Sequence, residues 1–279
     1  MSGASAATIW RAQGSRILAG LAWGGIGLVL VLLYLPLVPP FLFALSGDGT
    51  IAGLAQPTWR WYLELPRNPL LVNSLGTTLL VGVIVAAITP LLALLGAMAI
   101  RGWRFKRLLL MLLLLPLFIP GVSLGLAVAF FFREIGVPPS LWSIATVQVL
   151  WALPFATVVV LTVMSTFDPV YLEAAYTHGA NRWRAFRDIE LPLIWPGLLG
   201  AATFALILSF NETVRTALVQ GRYNTIQTYI WSTYLQVGLS PSLHALMSLL
   251  IALTLGLVVL MLASSLSGMR RGRVNRAAE

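Results

Sequence analysis

Six stretches of this chain, residues 17–47, 68–100, 108–132, 135–167, 191–211 and 223–269, contain no Asp, Glu, Lys or Arg. Each is long enough to supply the roughly 20 residues that cross a bilayer as a helix. In lipid a backbone must satisfy its own polar groups, so runs of this length fold as helices and not as open strands. Across all 279 residues 10% are charged and 58% hydrophobic, whereas a soluble domain carries about 25% charged residues. The sequence therefore predicts an all-α, polytopic membrane protein with six transmembrane helices, near 18–41, 72–99, 108–131, 141–164, 198–219 and 243–266.

Arg11 and Arg16 precede the first run, and "FALSG" ends it like a weak cleavage site. That run is about twice as long as the 7–15-residue core of a secretory signal, which predicts an uncleaved first helix. With no cysteine there is no disulfide framework, thiolate nucleophile or Cys-based metal site. Two isolated histidines, His178 and His244, supply no metal-binding or catalytic constellation either. Each reads as a packing or interfacial residue, and the chain as no enzyme.

Charge placement sets the topology. With a cytoplasmic N-terminus, the inside segments hold Arg11, Arg16, Arg101, Arg104, Lys106, Arg107, Arg182, Arg184, Arg187, Arg270, Arg271, Arg273 and Arg276, thirteen of the 18 basic residues. The positive-inside rule thus favours a multi-pass membrane protein with both termini in the cytoplasm. The formal charge of +9 is explained by orientation in a lipid bilayer and gives no reason to invoke nucleic acid. The expected organisation is a cytoplasmic segment 1–17, a six-span transmembrane domain 18–266 and a basic cytoplasmic tail 267–279. The outer segment 46–69, with its tryptophans and prolines, suits a short interfacial helix.

Between the fourth and fifth runs lies a charged segment, residues 168–192. Asp168-Pro169 is a helix start, the carboxylate accepting first-turn amides and the proline lacking a donor where none is needed. "VYLEAAYTH" continues as helix, and Gly179 stands where a left-handed stop is expected. "ANRWRAFRDIELP" forms a second short helix, ended by Leu191-Pro192. The product is a helical hairpin. Glu173 has no basic residue three or four positions away, Ala174 and Ala175 make a low surface, and Trp183, Phe186 and Arg182 are types enriched at protein contacts. Residue chemistry alone leaves two readings: a docking surface, or an interfacial loop whose Trp and Arg touch lipid headgroups.

The spacing Glu-Ala-Ala, three residues, Gly, nine residues, Ile, one residue, Leu-Pro is matched by Glu173, Ala174, Ala175, Gly179, Ile189, Leu191 and Pro192. It resembles the cytoplasmic coupling loop of permease subunits in binding-protein-dependent ABC importers of the type I, maltose-permease-like fold. The similarity extends to "NSL" before the second span, "LPLFIPGV" in the third, and "SFNETV" and "VGLSPSLHAL" beyond the hairpin. The last two look most like the spermidine/putrescine permease branch.

The resemblance implies an importer of the bacterial cytoplasmic (inner) membrane whose hairpin sits in a groove of a cytoplasmic ATPase dimer, with Glu173 pairing across the interface, Ala174 and Ala175 permitting close docking and Gly179 holding the turn, and Arg182 counted among the coupling residues. It implies a second permease subunit, favouring a heterodimer, and a periplasmic or extracellular solute-binding protein. ATP and Mg would be bound by the partner ATPase, since this chain has no "GxxxxGK" loop and no cofactor of its own. An ion-coupled carrier working without an ATPase is the alternative. For the solute path the candidates are Tyr34, Asn211, Glu212 and Arg215. Ionisable groups within a span default to function, although Glu212 and Arg215, three apart, can equally satisfy each other. The polyamine relatives often place an acid directly after "SF". Here Asn211 takes that place and the acid follows one position later, a rotation of about 100° on a helix.

Overall fold

The computed structural model describes the backbone of residues 20–277 and side chains as far as Leu260. The segment 1–17 and the side chains of the basic tail 267–279 lie outside the described residues. Every regular element among those described is helical: α1 (Gly20–Leu45), α2 (Arg60–Glu64), α3 (Pro69–Gly102), α4 (Lys106–Phe118), α5 (Gly121–Glu134), α6 (Leu141–Ser165), α7 (Val170–Thr177), α8 (Arg182–Phe210), α9 (Val214–Val219), α10 (Ile226–Val237) and α11 (Pro241–Ala277). Five of them, α1, α3, α6, α8 and the part of α11 up to Leu260, are long and apolar enough to cross a membrane, and α4 with α5 makes a sixth span if that bent pair counts as one.

Three departures from the sequence expectation have local causes. The third span, expected as one helix over 108–131, is broken, with α4 and α5 at 102° to each other. Pro116 and Pro120 remove backbone donors at the break where a helix would need them, and Gly121 beside them adds backbone freedom. The fifth span does not run over 198–219. It ends at Phe210, and Asn211, Glu212 and Thr213 separate it from α9. In the other direction α8 extends back into the hairpin without the stop expected at Leu191-Pro192. A π turn, Phe186–Glu190, shifts the ladder so that Leu191 N–H donates to the Phe186 carbonyl, and Pro192 enters where the regular bonding is already interrupted. The helix α10 hides in a sequence run with no charge. It starts at a Thr225/Thr228 capping box and stops at Gly238, whose φ is +81°.

The chain divides into two compact units. One contains α1, α2 and the first turns of α11. There Trp61 Nε1 donates to the Ser46 carbonyl at 2.8 Å, Tyr62 and Ser248 share a 2.8 Å hydroxyl contact, and the Phe43 and His244 rings lie 5.3 Å apart. Asp48 is pulled below the usual carboxylate range by the Thr50 N–H and hydroxyl that it accepts. Helix α1 is apolar and exposed along most of its length, so lipid or another chain must cover it.

The other unit is built on α3, α6 and α8. Towards the hairpin end, Ala93 and Ala97 of α3 meet Ala156 and Val160 of α6 and Ile194, Leu198 and Ala201 of α8. Val81, Val85, Ile144, Val147 and Ala205 form a second cluster further along. Small residues permit this close approach, which in lipid replaces the hydrophobic drive of a water-soluble core. A Cβ built on Gly197 would lie 2.8 Å from the Val163 Cβ. Gly197→Leu is therefore expected to cost about 1–3 kcal/mol through overpacking, lowering the thermal midpoint followed by tryptophan fluorescence in detergent. Gly200→Leu, with open space around it, should leave the midpoint unchanged.

Candidate functional site

The hairpin joins α6 to α8. Asp168 Oδ1 accepts the Val170 N–H at 3.0 Å and opens α7. The helix closes in a Schellman motif: Ala180 N–H donates to the Ala175 carbonyl and Gly179 N–H to the Tyr176 carbonyl, each at 3.0 Å, with Gly179 at φ +82°. That pair of bonds requires the left-handed residue that only glycine adopts freely. Asn181 Oδ1 then accepts the Arg184 N–H at 2.8 Å and starts α8. The turn is set by two polar caps and one glycine.

The hairpin's outer face carries Glu173, Ala174, Arg182, Trp183 and Arg184, all exposed, with Tyr171 and Tyr176 beside them. Among the described residues Glu173 makes no ion pair. Ala175 differs from its neighbour. It is 8% exposed, as Ala185 is 1%, so it is turned inward and lets α7 lie close to the first turn of α8. Ile189 and Leu191 are half-buried, and Pro192 is exposed.

One residue of this segment was not singled out by sequence: Glu190, 2% exposed. Its carboxylate is bridged by both terminal nitrogens of Arg101 in the last turn of α3, one of them at 3.2 Å. Spacing could not reveal this, because the partner stands 89 residues away. The only signal was an acid beside an apolar run with no basic residue on its own helical face except Arg187, which pairs instead with Asp188 at 2.7 Å.

At the opposite end of α8 the expected path residues Asn211, Glu212 and Arg215 fall together. Asn211 is exposed and its amide returns to the Ile207 carbonyl at 2.7 Å. Glu212 and Arg215 are buried. Glu212 Oε1 accepts the Arg215 N–H at 2.8 Å in the first turn of α9, and Oε2 accepts the Arg215 guanidinium at 2.7 Å. The guanidinium lies 3.7 Å over the Trp151 ring, and its Nε has no partner. A Cβ on Gly121 would come within 3.2 Å of it, so the break of the third span leaves room for this side chain. Alongside, Ser209 donates to Gln148 at 2.5 Å and Gln148 to Thr216 at 2.9 Å, tying α8, α6 and α9. Tyr34, the fourth candidate, is 49% exposed in the other compact unit.

Spanning helices around a small-residue core, with a glycine-turned polar hairpin continuous with one span, define a polytopic membrane protein. Residues 79–270 match the family of binding-protein-dependent transport system inner membrane components, and the chain belongs to that family. It is the permease of an ABC importer. The spermidine/putrescine transport system permease protein PotC of Haemophilus influenzae is 26% identical over 231 residues, 82% of this chain and 90% of that protein. The sulfate transport system permease protein CysT of Escherichia coli is 28% identical over 226 residues, 75% and 81% of the two chains. A bacterial ABC transporter involved in the import of the acidic polysaccharide alginate has the same fold, with a TM-score of 0.70 at 15% identity over 91% of this chain and 97% of the other.

Proposed function

We propose that this permease imports a polyamine-class solute. In this reading a second, different permease chain completes the path, an ATPase dimer docks on the hairpin, and an outer binding protein delivers solute. The hairpin and both termini face the cytoplasm of a bacterium, and ATP with Mg is bound by the ATPase. The observation that carries the coupling part is the hairpin's construction. Its exposed Glu173 and Ala174 stand on a turn fixed by Gly179, and its second arm continues through the π turn into the membrane part of α8. ATPase closure would push on the hairpin, α8 would transmit the displacement without a flexible joint, and the spans would switch between two packings of the same helices. The polyamine assignment is supported by the PotC relatives. It does not rest on a free carboxylate in the path, since Glu212 is held by Arg215.

The test is to tag this chain in its native membrane, purify it in mild detergent, identify its companions by mass spectrometry, and measure uptake of labelled spermidine, putrescine and sulfate in proteoliposomes of the recovered assembly. The expected result is an ATPase and a second permease in the eluate, with ATP-dependent uptake of spermidine or putrescine. Uptake of sulfate alone would overturn the solute. Transport by the chain without an ATPase would overturn the coupling and establish an ion-coupled carrier.

A further inference from the structure

We infer that Arg101 and Glu190 form a permanent joint that makes α3 and the coupling hairpin one rigid arm, so that movement of the hairpin is delivered to two spans instead of one. The inference rests on the importer reading above. The covalent chain already connects the hairpin to α8. Helix α3 has no such connection, and in the cluster nearest the hairpin it meets α8 through apolar side chains, Ala93, Leu94 and Ala97 with Ile194, Leu198 and Ala201. Apolar contact is non-directional, so it holds the two helices together without a donor–acceptor geometry of its own. A carboxylate gripped by two guanidinium nitrogens is the opposite, because it fixes distance and angle together.

The surroundings fit a joint better than a surface ion pair. The Glu190 side chain is 3% exposed and that of Arg101 44%, whereas both side chains of Arg133–Glu134 and of Arg187–Asp188 are at least half exposed. The π turn Phe186–Glu190 ends on this residue. Such turns are rare and concentrate at functional positions. Here the wide turn serves both to admit Pro192 and to direct one carboxylate at the last turn of α3, while Arg187 and Asp188 remain outside. Arg101 and Glu190 are thus positioning residues for the transport cycle, acting through the helices they connect.

The chain has no cysteine, which permits a direct test in the complete importer. A double variant, Arg101→Cys with Glu190→Cys, is expected to lose at least tenfold of its ATP-driven spermidine uptake. Bridging the two thiols with a short bifunctional methanethiosulfonate should restore at least half, with equal cross-linking in the nucleotide-free and vanadate-trapped states. Glu190→Gln, which keeps hydrogen bonds and removes the charge, should still co-purify with the ATPase and hydrolyse ATP within twofold of the parent while uptake falls about tenfold; Arg101→Lys should retain an intermediate rate. Cross-linking that drops severalfold in the trapped state, uptake unchanged in Glu190→Gln, or hydrolysis and uptake lost in equal proportion would each overturn the joint. If the parent importer carries no spermidine, the polyamine assignment alone fails. The comparison of cross-linking between the two nucleotide states then decides the joint.

Discussion

Gly179→Val is expected to abolish uptake while the chain still inserts in the membrane and keeps its helical core. Gly179 sits at φ +82°, and a left-handed conformation costs a residue with a Cβ about 1–2 kcal/mol, more when that residue is β-branched. No heavy atom lies within 4 Å of a Cβ placed there, so the penalty is confined to the backbone. Relaxing it means giving up the two Schellman bonds to Ala175 and Tyr176 and opening the turn. The outer face of α7, with Glu173 and Ala174, then loses its fixed angle to α8. Gly179→Asn, which tolerates the left-handed region, should keep most of the uptake. Gly136→Val supplies the second control, with a similar φ of +73° and open space, but outside the hairpin; it should spare uptake. The measurement is uptake together with ATPase recovery on the tagged chain. Normal uptake by Gly179→Val would remove the hairpin from the coupling mechanism.

The hairpin was legible in the sequence because its determinants are local: Asp168, Gly179 and Asn181 each act on backbone groups within a few residues. The spans were legible because lipid excludes charge. What could not be read were features set by tertiary partners or by competing local rules. Pro116 and Pro120 announce a disturbance in the third span, yet nothing in their spacing gives a 102° bend. Leu191-Pro192 reads as a stop, and the structure instead absorbs it in a π turn, because α8 gains more by packing Ile194 and Leu198 on α3 and α6 than it loses in one regular bond. Helix α10 lay inside an uncharged run, where composition does not separate two helices. The Thr225 and Gly238 signals at its ends were present but carry less weight than 47 residues without a charge. Glu190 is the extreme case, since its meaning is defined entirely by Arg101.

Glu212→Ala is expected to destabilise the chain by about 3–5 kcal/mol, the usual consequence of stranding one member of a buried ion pair. The Arg215 side chain is 9% exposed and would keep only the Trp151 face as a partner for its charge. A cation–π contact of this kind is worth about 2 kcal/mol when desolvated and cannot replace the carboxylate. The same substitution removes the hydrogen bond from the Arg215 N–H in the first turn of α9, typically about 1 kcal/mol. The double variant Glu212→Gln with Arg215→Met should lie much closer to the parent, because no charge is left unpaired, the glutamine carbonyl can still accept the N–H of residue 215, and the flexible thioether can fill the space between Trp151 and Gly121. Thermal unfolding in detergent, followed by tryptophan fluorescence, measures both effects. Uptake by the double variant then separates the two readings of this pair. The carboxylate is already neutralised within its own turn, so it offers little attraction to a passing cation, and spermidine uptake within twofold of the parent is the expected outcome. A double variant that is stable yet cannot transport would place Glu212 and Arg215 on the solute path, and the charge shift from Asn211 to Glu212 would become the first determinant of selectivity to vary.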